Sequence, residues 1–232
     1  CCQSIRDPVF SIKEFLLKYS YKSESSDKMK YQLLIVLMLA VQAWGACPSF
    51  TVIDSLELDK FMGLWYQYAS CGKFFLKGWD RCVKSDYTLC DDGKTITINN
   101  TRVVNGIDKP IQSTWVAVAS DPADGHLTIE FKVPILGKMT APLNVLDTDY
   151  DTYAVLCVCK QLGFIQYKSA WLFTRNSTLT EDESNNIFAA VEPVLEKNGF
   201  DKTKFALTSQ ENCDNLSDIL QHWDKVVSII KG

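Results

Sequence analysis

"FMGLWYQYA" (61–69) sets Gly63 two residues ahead of Trp65, where the chain leaves a turn and enters a strand. The bulkiest side chain therefore stands at the mouth of a β-like stretch. Outward from it the chain keeps alternating: residues 80–89, 94–104, 113–119, 126–133, 144–150, 152–159 and 169–175 each read as short strands. The turn signals "DDGK", "NGIDKP", "DPADG" and "DTDYD" fall between them at the spacing of consecutive antiparallel hairpins. With the Trp65 segment the count is eight, the number that closes into an up-and-down barrel. The predicted fold class is all-β: an eight-stranded antiparallel up-and-down barrel with one C-terminal α-helix packed on it. That helix is "LTEDESNNIFAAVEPVLEKNGF" (179–200), capped at Thr180 and stopped at Asn198 and Gly199, with a kink or local strain expected at Pro193.

Composition sets the outer limits. At 232 residues, 47% hydrophobic and 22% charged, the chain can bury one sizeable core, and a single domain is the default. A net charge of -4 with scattered Lys and Arg recommends neither nucleic acid nor an anionic membrane as a partner. "MKYQLLIVLMLAVQAWGA" (29–46) reads as a secretory signal peptide, with a cation at Lys30, an apolar run from Leu33 to Val41 and small residues at its end. The run is too short for a transmembrane span, so a secreted, extracellular protein starting near Cys47 is expected. Residues 1–28 are read as an upstream extension without a fold, 47–213 as the barrel domain, and 214–232 as an amphipathic tail. In that tail Leu216, Ile219, Leu220, Trp223, Val226, Val227 and Ile230 form one stripe at helical spacing, suited to packing on the barrel or on another copy.

Removing the leader leaves seven of nine cysteines: Cys47, Cys71, Cys82, Cys90, Cys157, Cys159 and Cys213. An oxidising compartment favours disulfides, and with only His126 and His222 available no metal site is expected. An odd count leaves one thiol free or shared between chains, which keeps a homo-oligomer open. The sequons at Asn99, Asn176 and Asn215 are N-glycosylation acceptors and face solvent when used. If Asn99 points out, Asn100 points in, either as a satisfied structural amide or as a polar ligand contact.

"GLWY" (63–66), "TDYDTYAV" (148–155) and Arg175 in "LFTRNSTL" resemble, in order and spacing, the three short motifs of the lipocalins. Within that family "AWLFTRNSTL", the helix ending before "NGFDKTKF" and "ENCDNLS" resemble the branch of apolipoprotein D and the insecticyanin-type bilin-binding proteins, with the crustacyanin subunits next. The resemblance covers about residues 47–217. It implies structural roles for Gly63, Trp65, Thr148, Asp149, Tyr150 and Arg175, with Trp65 plugging the closed end of the barrel beneath the Arg175 guanidinium. It further implies Cys47–Cys159 and Cys82–Cys213 disulfides. Cys71 and Cys90 are the pair suited to a third bridge, leaving Cys157 alone and, by alternation from Val155, inward.

Under that fold the functional site is the barrel interior. Alternation from Arg175 turns Ser169, Trp171 and Phe173 inward, and the preceding strand offers Tyr153, Val155 and Cys157. Tyr87 and Ser85 or their neighbours, Trp115 or Thr114, and Leu143 or Val145 complete the wall with Asn100. An apolar wall with few polar fixtures suits a small hydrophobic ligand. The resemblance points first to a bilin such as biliverdin, and alternatively to a sterol, fatty acid, retinoid or carotenoid. Where bilin-binding relatives carry an aromatic before "VLATDY", this chain has Asn144, and Asp147 replaces the alanine. The protein is expected not to be an enzyme. The contrasting class is a cysteine-dependent isomerase of the lipocalin type, using Cys157 or Cys71 as nucleophile, although no histidine or cation is placed to activate it.

Overall fold

Gly63 opens the first strand with φ at +92°, a left-handed backbone that glycine adopts without strain. In this computed structural model the described residues are 28, 30–35, 47–72, 80–104, 110–120, 122–133, 137–162 and 165–213. The upstream extension, most of the leader and the tail, with Asn215 and His222, lie outside them. Residues 30–35 are helical and belong to a unit separate from the one that begins at Ala46.

Eight strands follow one another as an antiparallel meander: β1 (Gly63–Gly72), β2 (Asp80–Leu89), β3 (Thr95–Val104), β4 (Pro110–Ala119), β5 (His126–Val133), β6 (Gly137–Thr148), β7 (Tyr153–Leu162) and β8 (Ile165–Thr174). Each pairs with the next, β8 pairs with β1, and β1 pairs with β2, which closes the barrel as the strand count predicts. A two-residue strand, β9 (Ala206–Leu207), adds to the other part of β1. The sixth strand starts seven residues before the sequence reading opened it. Pro142 lacks a donor, and the β6–β7 ladder begins only at Leu143 opposite Val158, so the proline costs no bond there.

One end of the barrel is sealed. The short helix α1 (Leu58–Phe61) lies across it, with Phe61 fully buried against Trp65 and Tyr87 at ring separations of 5.5 and 5.3 Å. The Trp65 indole N–H donates to Phe61 O at 2.8 Å. Arg175 lies over the indole, its guanidinium carbon 3.6 Å from the ring centroid. The same guanidinium donates to Tyr150 O, Leu64 O and Lys60 O at 2.9, 3.0 and 2.9 Å, tying α1, β1 and the β6–β7 turn together. In that turn, Asp149 takes hydrogen bonds from the Thr152 hydroxyl and from the N–H groups of Asp151, Thr152 and Tyr153. Partial desolvation opposes its ionisation, but these bonds outweigh it and hold the carboxyl below its ordinary value of 3.8.

The outer face of β1, β6, β7 and β8 is covered by α2 (Glu181–Lys197). Thr180 and Glu183 form a reciprocal capping box at its start, and Asn198 ends it. Its Ile187, Val191 and Leu195 pack on Ala69, Val155, Cys157, Ala170 and Leu172. The helix continues through Pro193 to Lys197. Disulfides join Cys47 to Cys159 and Cys82 to Cys213, closing separations of 112 and 131 residues. In the chain-entropy account each contributes roughly 4–5 kcal/mol.

Arg175→Ala removes the ring contact and strands three carbonyls, and is expected to cost about 3 kcal/mol, read as a lower urea midpoint. Arg175→Lys recovers only part of this, because an ammonium cannot fork to separate acceptors. Since the Asp149 carboxyl is depressed on folding, its contribution is present above the unfolded value and is lost as pH falls through the folded one. The stability gap between the unaltered chain and Asp149→Asn should accordingly narrow below pH ~4, in denaturation curves recorded across the acid limb.

Candidate functional site: the barrel cavity

The end opposite the plug encloses a cavity of about 670 Å³, inside the range of small-molecule sites. Its floor and walls are aromatic and aliphatic: Tyr87, Trp115, Phe131, Leu143, Leu156, Trp171 and Phe173. Trp115 and Phe131 tilt against each other at 5.4 Å. Burial pushes the Tyr87 phenol well above its usual range, so it stays neutral at physiological pH.

Polar side chains also line the cavity, among them Gln67, Ser85, Asn100, Gln112 and Ser169. Ser85 Oγ donates to Asn100 Oδ1 at 2.7 Å. This fixes the Asn100 amide and leaves Nδ2 buried without a partner, a singular case among the described residues. Toward the mouth the charged lining is Asp80, Arg102, Lys132 and Lys160. Asp80 is paired with Arg102 at 2.9 Å, while the Lys160 ammonium donates to Thr140 O at 2.9 Å. The rim thus carries a cationic excess in a chain whose net charge is -4.

Of the residues read as inward from the sequence, Tyr87, Asn100, Trp115, Leu143, Ser169, Trp171 and Phe173 line the cavity, as does Ser85. Thr114 is exposed and donates to Asn99 Oδ1, so Trp115 is the inward member of that pair. Val145 is fully buried at the sealed end, where its N–H meets Gly125 O at 2.7 Å; it belongs to the plug core and not to the cavity lining.

Tyr153, Val155 and Cys157 are corrections. Their register with β8 sets Ala154, Leu156 and Val158 opposite Phe173, Trp171 and Ser169. Directly opposed residues share a face, so the first three point outward, toward α2. The reading failed because the helix buries the outer face as well: Ala154 to Cys159 are all buried, and no alternation is left to give the phase. Cys157 therefore sits under the helix, where burial pushes its thiol up to about 12. Cys71 and Cys90 are not joined, so the third bridge does not form, and Cys157 is likewise outside any disulfide. Cys71 packs in the cluster under α2 and also borders the cavity, whereas Cys90 follows β2 with its sulfur 3.7 Å from Thr97 Oγ1. Asn144 is also absent from the cavity lining; its amide reaches Cys157 O at 3.5 Å, and Asp147 accepts from the Tyr153 hydroxyl at 2.8 Å. Asn99 and Asn176 are exposed, as sequons require.

Several lining residues were missed. Phe131 was legible from the Leu127, Ile129, Phe131 alternation, and Arg102 from Asn100 by the same rule. Leu156 needed the register with Trp171. Ala206, Leu207 and Thr208 carried no signal, since a two-residue strand has no period. Among the described residues no group of His, Cys, Asp or Glu is gathered as a metal would require, and no helix is long and apolar enough to cross a membrane.

A meander of eight strands, plugged at one end and hollow with an apolar lining at the other, defines the class of up-and-down barrels that hold one small molecule. The family model of the lipocalin-like domain matches residues 56–210, and the chain belongs to the lipocalin family. It is 28% identical over 175 residues to apolipoprotein D of Macaca fascicularis, covering 75% of this chain and 87% of that protein. It is 26% identical to the crustacyanin-A1 subunit of Homarus gammarus, over 66% of this chain and 78% of the subunit. Insecticyanin from Manduca sexta shares the fold with a TM-score of 0.60 at 19% identity, covering 72% of this chain and 88% of that one.

Native protein treated with iodoacetamide at pH ~8 should be labelled at Cys90 and spared at Cys157, whose thiolate is scarce and covered. Peptide mass spectrometry before and after unfolding checks this, and rapid native labelling of Cys157 would contradict the placement of β7.

Proposed function

We propose that this chain is a secreted, non-enzymatic carrier of a small amphiphilic ligand, held in the barrel with its apolar body against the aromatic wall. The single observation that carries the reading is the Asn100 amide on the cavity wall: a buried donor, oriented by Ser85 and without a partner, among aromatic side chains. Such a group is costly unless something accepts from it, and a ligand carbonyl or carboxylate would supply that acceptor once a small side-chain shift uncovers the nitrogen. Burial of about 300 Å² of ligand surface would add roughly 7 kcal/mol before binding costs.

The cationic rim narrows the ligand class. Lys132 and Lys160 favour an acidic group at the mouth once the apolar body is inside. A bilin such as biliverdin, flat, conjugated and doubly acidic, meets both requirements, and the named kinship with insecticyanin lies in the same direction. A fatty acid also satisfies the rim, whereas a sterol, retinoid or carotenoid would engage mainly the aromatic wall. The thiol-dependent isomerase reading loses Cys157, which lies outside the barrel beneath α2, and would rest on Cys71 alone, which borders the cavity but packs in the apolar cluster under that helix. Secretion is supported by the leader-like stretch 29–46 and by two disulfides. The barrel domain is taken as 47–213, with Asn99 and Asn176 as glycan acceptors.

The test is an absorption spectrum of protein purified from its source, followed by fluorescence titration with biliverdin and with oleate. Visible bands and tight biliverdin quenching are expected; a colourless protein that prefers oleate would move the assignment to a fatty acid. Asn100→Leu, which keeps volume and removes the donor, should weaken the preferred ligand about tenfold while leaving the unfolding midpoint in place.

A further inference from the structure

The barrel wall is not continuous between β1 and β2. The two strands pair only from Gly63–Tyr66 to Lys84–Tyr87, beside the plug. Nearer the mouth, β2 carries a register shift between Arg81 and Lys84, and Cys82 has φ at +54°, a left-handed backbone rarely held by a residue with a side chain.

A strap from the C-terminal region fills the opening. Ala206 and Leu207 pair with Ser70 and Ala69, and Thr208 N–H donates to Tyr68 O at 2.9 Å. On the opposite side Cys82 N–H donates to Ser209 O at 2.8 Å. The Gln210 amide donates to Gln67 O on β1 and to Val83 O on β2, both at 3.0 Å, and so spans the seam. The Cys82–Cys213 disulfide fastens the end of the strap to β2 and packs on Val103. Ala206, Leu207 and Thr208 line the cavity, yet Leu207 is 66% exposed, so the strap is thin and has cavity on one side and solvent on the other.

We infer that residues 206–213 form a latched side wall of the ligand cavity, and that the β1–β2 seam behind them is its lateral exit. Gln210 and the Cys82–Cys213 disulfide are positioning groups that hold the exit shut. This rests on the cavity being the ligand site. The Cys47–Cys159 disulfide sits on β7, which pairs with β6 and β8 and not with β1, β2 or β9, and serves as the internal control.

The experiment loads the full chain with anilinonaphthalene sulfonate and measures its dissociation by stopped flow on dilution into competing oleate. Gln210→Ala and Cys82→Ser/Cys213→Ser should each release the probe about tenfold faster and speed its association by a similar factor, because opening a side route lowers the barrier in both directions and leaves the affinity nearly unchanged. Cys47→Ser/Cys159→Ser should release it at the unaltered rate. Unchanged release from both strap variants, or equal acceleration in the control, would overturn the inference. If the cysteine pair variant fails to fold by circular dichroism, Gln210→Ala alone decides, since it leaves both disulfides in place. An unaltered chain that takes up no probe or oleate would instead overturn the reading of the cavity itself, and the exit with it.

Discussion

The Arg175 guanidinium lying on the Trp65 indole is the contact on which the remaining architecture depends. A barrel of eight strands has two ends, and a cavity can exist only if one is sealed without filling the whole bore. The indole supplies area to close the bore, and Arg175 spends its other donors on carbonyls from α1, β1 and the β6–β7 turn. One cation thereby fixes three segments distant in sequence, and the volume above the plug stays open. Trp65 stands at the mouth of its strand because that is the only level at which it can act as a floor.

Polar groups are distributed on the same logic. Those at the plug are satisfied by one another: Trp65 by Phe61, Arg175 by three carbonyls, Asp149 by the turn that it caps. Beside the cavity Ser85 satisfies the Asn100 carbonyl and leaves the amide nitrogen buried without a partner. An orphaned donor of this kind costs free energy that the paired groups of the plug do not.

How much was legible in the sequence followed how many faces of each strand are wet. Where β2, β3 and β4 present one face to water, alternation offered Tyr87 with Ser85 or their neighbours and Trp115 or Thr114, and the sequon at Asn99 turned Asn100 inward. The family motifs located the plug and both disulfides. On β7, buried on both faces, alternation is absent, and Tyr153, Val155 and Cys157 were turned the wrong way. The Cys71–Cys90 bridge failed with them, because Cys71 lies in the layer under α2 while Cys90 lies past the end of β2. The strap was invisible because its role arises from a gap between two strands, which no local pattern encodes.

The double burial of β7 divides the cohesion of the molecule in two. Its inward side chains face the hollow; its outward ones belong to a dry layer sealed by α2. That second layer owes nothing to what the hollow contains, so the wall would keep its shape whether the bore is occupied or empty.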